Sequence, residues 1–107
     1  KAVLPPYVSV IASGGVRSAA DMAKSLALGA NAVAVAGPVV RALDCSVDSA
    51  IAWINERLQE LRCLMVLCGA HAPQELSNKP LVILGETGEW LRGRGVYPDA
   101  RSRIRDL

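Results

Sequence analysis

The sequence predicts a mixed α/β fold organised around a βαβ unit with parallel strands. Three observations carry this reading. Residues 7–12, Tyr-Val-Ser-Val-Ile-Ala, form a short and mostly apolar run after Pro5-Pro6, and residues 32–36, Ala-Val-Ala-Val-Ala, form a second. Apolar runs of this length, bounded by punctuation residues, suit strands covered on both faces. Between them Ala19, Met22, Ala23 and Leu26 recur at helical spacing, which draws one apolar stripe along a helix. Strand, helix and strand joined by short connections make a right-handed unit whose strands run parallel.

The first connection, Ser13-Gly14-Gly15-Val16-Arg17-Ser18, has the residues for a tight turn followed by a helix start. Ser18 can cap the helix, and Asp21 completes an S-x-x-D pattern with it. Lys24 and Ser25 fall on the outward side, and Gly29 is placed to stop the helix in the left-handed conformation. After the second strand, residues 38–43 read as a short helix with Pro38 at its first position, where the missing N–H costs nothing. Asp44 or Ser46 then starts a long helix over residues 47–67. Val47, Ile51, Ile54, Leu58, Leu61, Met65 and Cys68 alternate four and three apart, and Trp53, Leu64 and Leu67 widen the stripe. A face that broad packs on two neighbours. Gly69 ends the helix. Beyond it, residues 73–76 suit a single helical turn, and residues 81–84 a strand or extended segment. Thr87 caps a short helix through Trp90 and Leu91, and residues 97–107 read as a mobile tail. The expected division is a first unit over residues 1–71 and an extension over residues 72–107.

Composition sets the outer limits. With 107 residues, 51% of them apolar and 21% charged, the chain is globular and long enough for one small domain. A net charge of +2 is too slight to imply nucleic acid or an anionic membrane surface. The late arginines, Arg92, Arg94, Arg101, Arg103 and Arg105, have only Tyr97 near them and read as a solvated tail. No run of apolar residues is long enough to span a bilayer, and no leader peptide is visible at Lys1, which predicts a cytoplasmic protein. Cys45, Cys63 and Cys68 make an odd set without paired spacing, expected as buried thiols in a reducing compartment.

The chemistry concentrates at the two strand ends. Gly14 and Gly15 let the backbone turn sharply and leave no Cβ in the way of a ligand. The N–H groups of Gly15, Val16 and Arg17 are candidate donors there, and Ala36 and Gly37 head the next helix with a second set. Helix N-termini carry a partial positive charge, and a phosphate is their usual occupant. Two such ends side by side, the second followed by a short helix, form a phosphate clamp of the kind found after the last two strands of (β/α)₈ barrels. A dinucleotide fingerprint is excluded, because the third glycine and the acidic residue after the next strand are both missing. No catalytic or metal-ligating set is visible. His71 is the single histidine and reads as a helix-end or surface residue. Asp44, Asp48, Glu56 and Glu60 read as helix-start and solvated-face charges, and Glu86 and Glu89 have no identifiable partner.

Val10-Ile11-Ala12-Ser13-Gly14-Gly15-Val16-Arg17, with Ala23-Lys24 and Ala27-Leu28-Gly29-Ala30, resembles the seventh βα unit of FMN-dependent barrel enzymes. Ala36-Gly37, Leu43, the long helix, Leu67-Cys68-Gly69-Ala70, Glu75-Leu76, Pro80-Leu81-Val82-Ile83, Gly85-Glu86-Thr87, Trp90-Leu91 and Arg94-Gly95-Val96 narrow the likeness. Together they are similar to the C-terminal part of type 2 isopentenyl diphosphate isomerases. That resemblance covers residues 8–96. It implies the last two βα units of a (β/α)₈ barrel plus a C-terminal extension. It also implies an enzyme interconverting isopentenyl and dimethylallyl diphosphate with Mg²⁺ and reduced FMN, regenerated by NAD(P)H. By the same resemblance Gly14, Gly15, Val16, Arg17, Ala36 and Gly37 hold the FMN phosphate. The substrate-facing residues and the metal ligands fall on earlier strands, outside this chain. A flavin oxidoreductase of the same barrel type, such as a hydroxy-acid oxidase or a nucleotide dehydrogenase, is the alternative. A small α/β interaction module is a third reading. The segment over residues 69–96 separates the first two.

Two barrel strands leave both sheet edges unpaired and one face of the long helix uncovered, and such surfaces recruit other chains. The chain is therefore expected either as part of a longer polypeptide or as a homo-oligomer joined through strand edges and the long helix. FMN binding by these residues alone should be weak. Light scattering with intact mass, and an FMN titration of the purified chain, check this. A monodisperse 107-residue monomer binding FMN as tightly as a whole barrel would refute it.

Overall fold

A computed structural model describes residues 4–96; the expected tail over residues 97–107, with Arg101, Arg103 and Arg105, lies outside the described residues. The elements run β1 (Ile11–Ala12), α1 (Ala19–Ala27), β2 (Ala32–Val33), α2 (Gly37–Cys45), α3 (Val47–Leu67), a 3₁₀ helix (Pro73–Asn78) and α4 (Gly85–Gly93). β1 and β2 pair in parallel, with Ile11 opposite Ala32 and Ala12 opposite Val33. Asn31 N–H donates to the Val10 carbonyl at 2.8 Å, and Ala34 N–H to the Ala12 carbonyl at 2.8 Å, which continues the pairing at both ends. The Val10 N–H donates to Asn31 Oδ1 at 2.9 Å, so a side chain takes the place of a main-chain partner at the lower end.

Both strands are shorter than residues 7–12 and 32–36, and neither is covered on both faces: Ile11 is 66% exposed. A parallel strand gains its cover from strands on both sides and helices on both faces. Among the described residues each strand has one neighbour.

The core lies behind the strand pair. Leu26 of α1, Met65 of α3, Ala70 and Leu76 of the 3₁₀ helix are buried together, with Ala23, Val33 and Leu61 packed against them. Leu76 lies beyond the expected division at residue 71 and belongs to the same core. The α1 stripe falls where the spacing puts it. Gly29 adopts φ +99°, as the end of α1 requires.

α3 spans Val47–Leu67, with Ser46 as its cap accepting from the Ser49 N–H at 3.0 Å. Only part of the expected stripe is covered. Ala50 and Met65 are buried, and Trp53, Arg57, Leu61 and Leu64 are half-buried between them, whereas Val47, Ile51, Ile54 and Leu58 are exposed. The apolar surface of α3 is wider than the side that α1 and α2 cover, so the 4,3 alternation is exposed over its first four members and covered at Leu61 and Met65. Glu56 and Glu60 are exposed and pair with Arg57 at 2.6 and 3.0 Å.

Three further expectations are corrected. Cys45, Cys63 and Cys68 are all exposed, because Cys63 and Cys68 fall on the uncovered side of α3 and Cys45 ends α2. α2 is longer than residues 38–43, opening one residue earlier at Gly37. Thr87 lies inside α4, whose N-cap is Leu84 and carries no side-chain bond; Gly85, at φ +67°, makes the turn into the helix instead. Residues 81–84 lie outside any strand or helix, which leaves the second of their two expected readings. No helix among the described residues is long and apolar enough to cross a membrane.

α4 is docked through one glycine. A Cβ on Gly88 would stand 2.6 Å from the Ile83 carbonyl oxygen, while one on Gly93 would meet nothing within 4 Å. Gly88→Ala therefore has to push the 80–84 segment away and should cost about 1–3 kcal/mol. Gly93→Ala should be neutral or slightly stabilising. Urea unfolding of the two variants side by side checks the contrast.

Candidate functional site

The parallel, in-register pair sends both following loops off the same edge of the sheet. After β1 the chain turns through Gly14 at φ +91° and Gly15 at φ +72°, a conformation that L side chains adopt only under strain. A Cβ on either glycine would meet nothing within 4 Å, so open space stands beside the turn. Val16 and Ala19, 8% and 2% exposed, pin the loop to the interior. Among the described residues no hydrogen bond takes up the N–H groups of Gly14, Gly15 or Val16.

The start of α1 is satisfied from within. Asp21 N–H donates to Ser18 Oγ, and Asp21 Oδ2 accepts from the Ser18 and Arg17 N–H groups, each at 3.1 Å. Hydrogen bonding to Ser18 first, and to the Arg17 N–H next, holds the Asp21 carboxyl below its ordinary value. The positive end of α1 thus already faces a carboxylate. Arg17 is exposed, and with its N–H engaged it can meet a ligand only through its guanidinium.

The start of α2 is the opposite case. Its N-cap, Ala36, makes no side-chain bond, Pro38 has no N–H to offer, and its first turn holds no acidic residue. The N–H groups of Gly37 and Val39 have no partner among the described residues. One positive residue sits at this end without having been singled out by sequence reasoning. The Arg41 guanidinium folds back over Gly37, with Nη1 3.4 Å from where a Cβ on Gly37 would be. The signal was available: helical side chains lean toward the N-terminus, so residue i+4 covers residue i.

The two loops therefore combine unpaired N–H groups, an uncompensated helix end, two guanidinium side chains and space beside two glycines. That donor set fits a phosphate ester and offers no general acid or base. His71 is exposed and its main-chain N–H donates to Glu75 Oε2 at 2.9 Å, and Glu86 and Glu89 are exposed on α4. No group of metal-ligating side chains is present among the described residues.

A family model described as FMN-dependent dehydrogenase matches residues 1–83. The chain belongs to that family. Within it, the chain is 46% identical over 92 residues to an isopentenyl-diphosphate delta-isomerase of Symbiobacterium thermophilum, covering 85% of this chain and 25% of that protein. It is 46% identical over 91 residues to the same enzyme of a Geobacillus species, covering 84% and 26%. It is 43% identical over 88 residues to that of Methanothermobacter thermautotrophicus, covering 82% and 25%. The chain spans about a quarter of the length of these curated relatives.

The cap of α1 can be tested without any ligand. Ser18→Ala should destabilise the chain by about 1 kcal/mol. The Asp21 contribution is complete above the ordinary carboxyl value near pH 4 and is lost as pH falls through the lowered one. The stability gap between the wild-type chain and Asp21→Asn should therefore hold at neutral pH and close only in that acid range. Thermal unfolding followed by circular dichroism between pH 7 and pH 2 reads both effects.

Proposed function

We propose that these residues are the phosphate-holding end of the FMN site in a type 2 isopentenyl diphosphate isomerase. In that reading they form the last two βα units of a (β/α)₈ barrel and a C-terminal extension. The observation that supports it is the parallel pairing of β1 with β2, by which the loops carrying the unpaired N–H groups of Gly14–Val16 and of Gly37 and Val39 follow the same end of the strand pair. The isomerase relatives, identical at up to 46% of matched positions, favour this enzyme over the others of its family.

Each part of the chain then has a task. Gly14, Gly15 and Val16 donate backbone N–H groups to the phosphate from one side, and Gly37 and Val39 from the other. Arg17 adds charge from the first loop, and Ala36 positions the helix end. Asp21 holds the first loop in shape. When bound, reduced FMN supplies proton or electron transfer at its ring. The residues that contact the diphosphate substrate and Mg²⁺ lie outside these 107 residues, as does the step that regenerates the flavin with NAD(P)H. The exposed line Val47, Ile51, Ile54 and Leu58 favours a homo-oligomeric or larger assembly.

In the intact polypeptide that carries this segment, Gly15→Val should weaken FMN binding at least tenfold while leaving the fold in place. A β-branched residue cannot hold φ +72° without strain, and the N–H vectors turn with the backbone. Flavin fluorescence titration measures the affinity, and unchanged affinity would remove Gly15 from the site. Conversion of isopentenyl to dimethylallyl diphosphate by the reduced, Mg²⁺-loaded enzyme tests the activity. Oxidation of a 2-hydroxy acid without isomerisation would favour the oxidoreductase alternative, for which the family's description speaks.

A further inference from the structure

We infer that Arg41 is a phosphate ligand of this site, acting from the body of α2 rather than from either loop. The inference rests on the phosphate reading above and adds a residue that neither the loop pattern nor the family resemblance singled out.

Three observations lead to it. The guanidinium lies against the first residue of its own helix, with Nη1, Nη2 and Cζ at 3.4, 3.9 and 4.0 Å from where a Gly37 Cβ would be. A Cβ there would stand in ordinary van der Waals contact with the guanidinium, so the side chain lies directly over the first residue of the helix. Next, a cation at a helix N-terminus sits at the wrong pole of the helix dipole. No acidic side chain pairs with Arg41 among the described residues, and none lies in the first turn of α2. A dianion held between the helix end and the guanidinium turns that repulsion into two attractions. Finally, Asp21 already serves the positive end of α1, so the helix end left open to an anion is that of α2. Arg17 and Arg41 together match the two negative charges of a phosphate monoester, and a guanidinium offers it a paired donor edge.

The consequence is selectivity for the phosphorylated cofactor. Arg41 contributes to the binding of FMN and nothing to that of riboflavin, which has the same ring and sugar alcohol without the phosphate.

The full 107-residue chain, ¹⁵N-labelled, can be titrated to millimolar FMN, riboflavin and inorganic phosphate, following the amide signals of Gly15, Val16, Gly37 and Val39. Wild type should show saturable shifts with FMN and with phosphate, and none at these positions with riboflavin. Arg41→Gln should raise the dissociation constant for FMN and for phosphate about tenfold, and Arg41→Lys should fall between. Dispersed spectra of the variants show that the fold is kept. If Arg41→Gln binds FMN as wild type does, or loses only a response shared with riboflavin, the assignment of Arg41 is overturned and the loop reading stands. If wild type shows no saturable shift with FMN or phosphate, the phosphate reading itself fails and Arg41 falls with it.

Discussion

The parallel pairing of β1 with β2 is the constraint on which the site depends. It consists of two residue pairs, extended by single bonds at each end. Because the strands run the same way and in register, the loops that follow them leave from one edge. Had they been antiparallel, Gly15 and Gly37 would stand at opposite ends of the sheet and no shared ligand could touch both. The core of Leu26, Met65, Ala70 and Leu76 fixes α1 behind this pair, so the helix that separates the strands in sequence also holds them together in space.

The two helix starts at this edge divide their work. α1 carries its own anion, and α2 carries none and adds a cation instead. A site that binds a phosphate needs positive potential without a competing internal carboxylate at the point of contact. The arrangement caps α1 with its own side chains and leaves the start of α2 uncapped, open to the proposed anion. Helix ends with identical backbone dipoles are given different roles by what stands in the first turn.

Much of this was legible in the sequence. The bounds of α3, the capping box of α1 and the glycine stop at Gly29 follow from local signals, and local signals survive whatever surrounds them. What was not legible depends on neighbours. The strands were read as buried from their apolar content, yet Ile11 is largely exposed, because burial of a strand is a property of the sheet around it. Of the stripe read on α3, Trp53, Leu61, Leu64 and Met65 are covered and Val47, Ile51, Ile54 and Leu58 are not, since periodicity locates an apolar surface but not which part of it a neighbour covers. The cysteines were placed inside on the general behaviour of free thiols, and that too depends on a neighbour to cover them. At the site the glycines and the helix ends were readable from type and order. The engagement of the Arg17 N–H by Asp21 and the folding back of Arg41 over Gly37 required coordinates.

The glycine turn and the capping box sit next to each other in the chain, but they share no hydrogen bond. The turn is set by the backbone angles of residues 14 and 15, and the cap by side chains at 18 and 21. Asp21 ties the two together all the same, since its carboxylate takes the N–H of Arg17, two residues after the turn, as well as that of Ser18. Neighbours with a shared partner do not vary independently. A descendant of this chain can reshape the turn only as far as the start of the helix allows, and the anchor that secures the fold also bounds the drift of the loop in front of it.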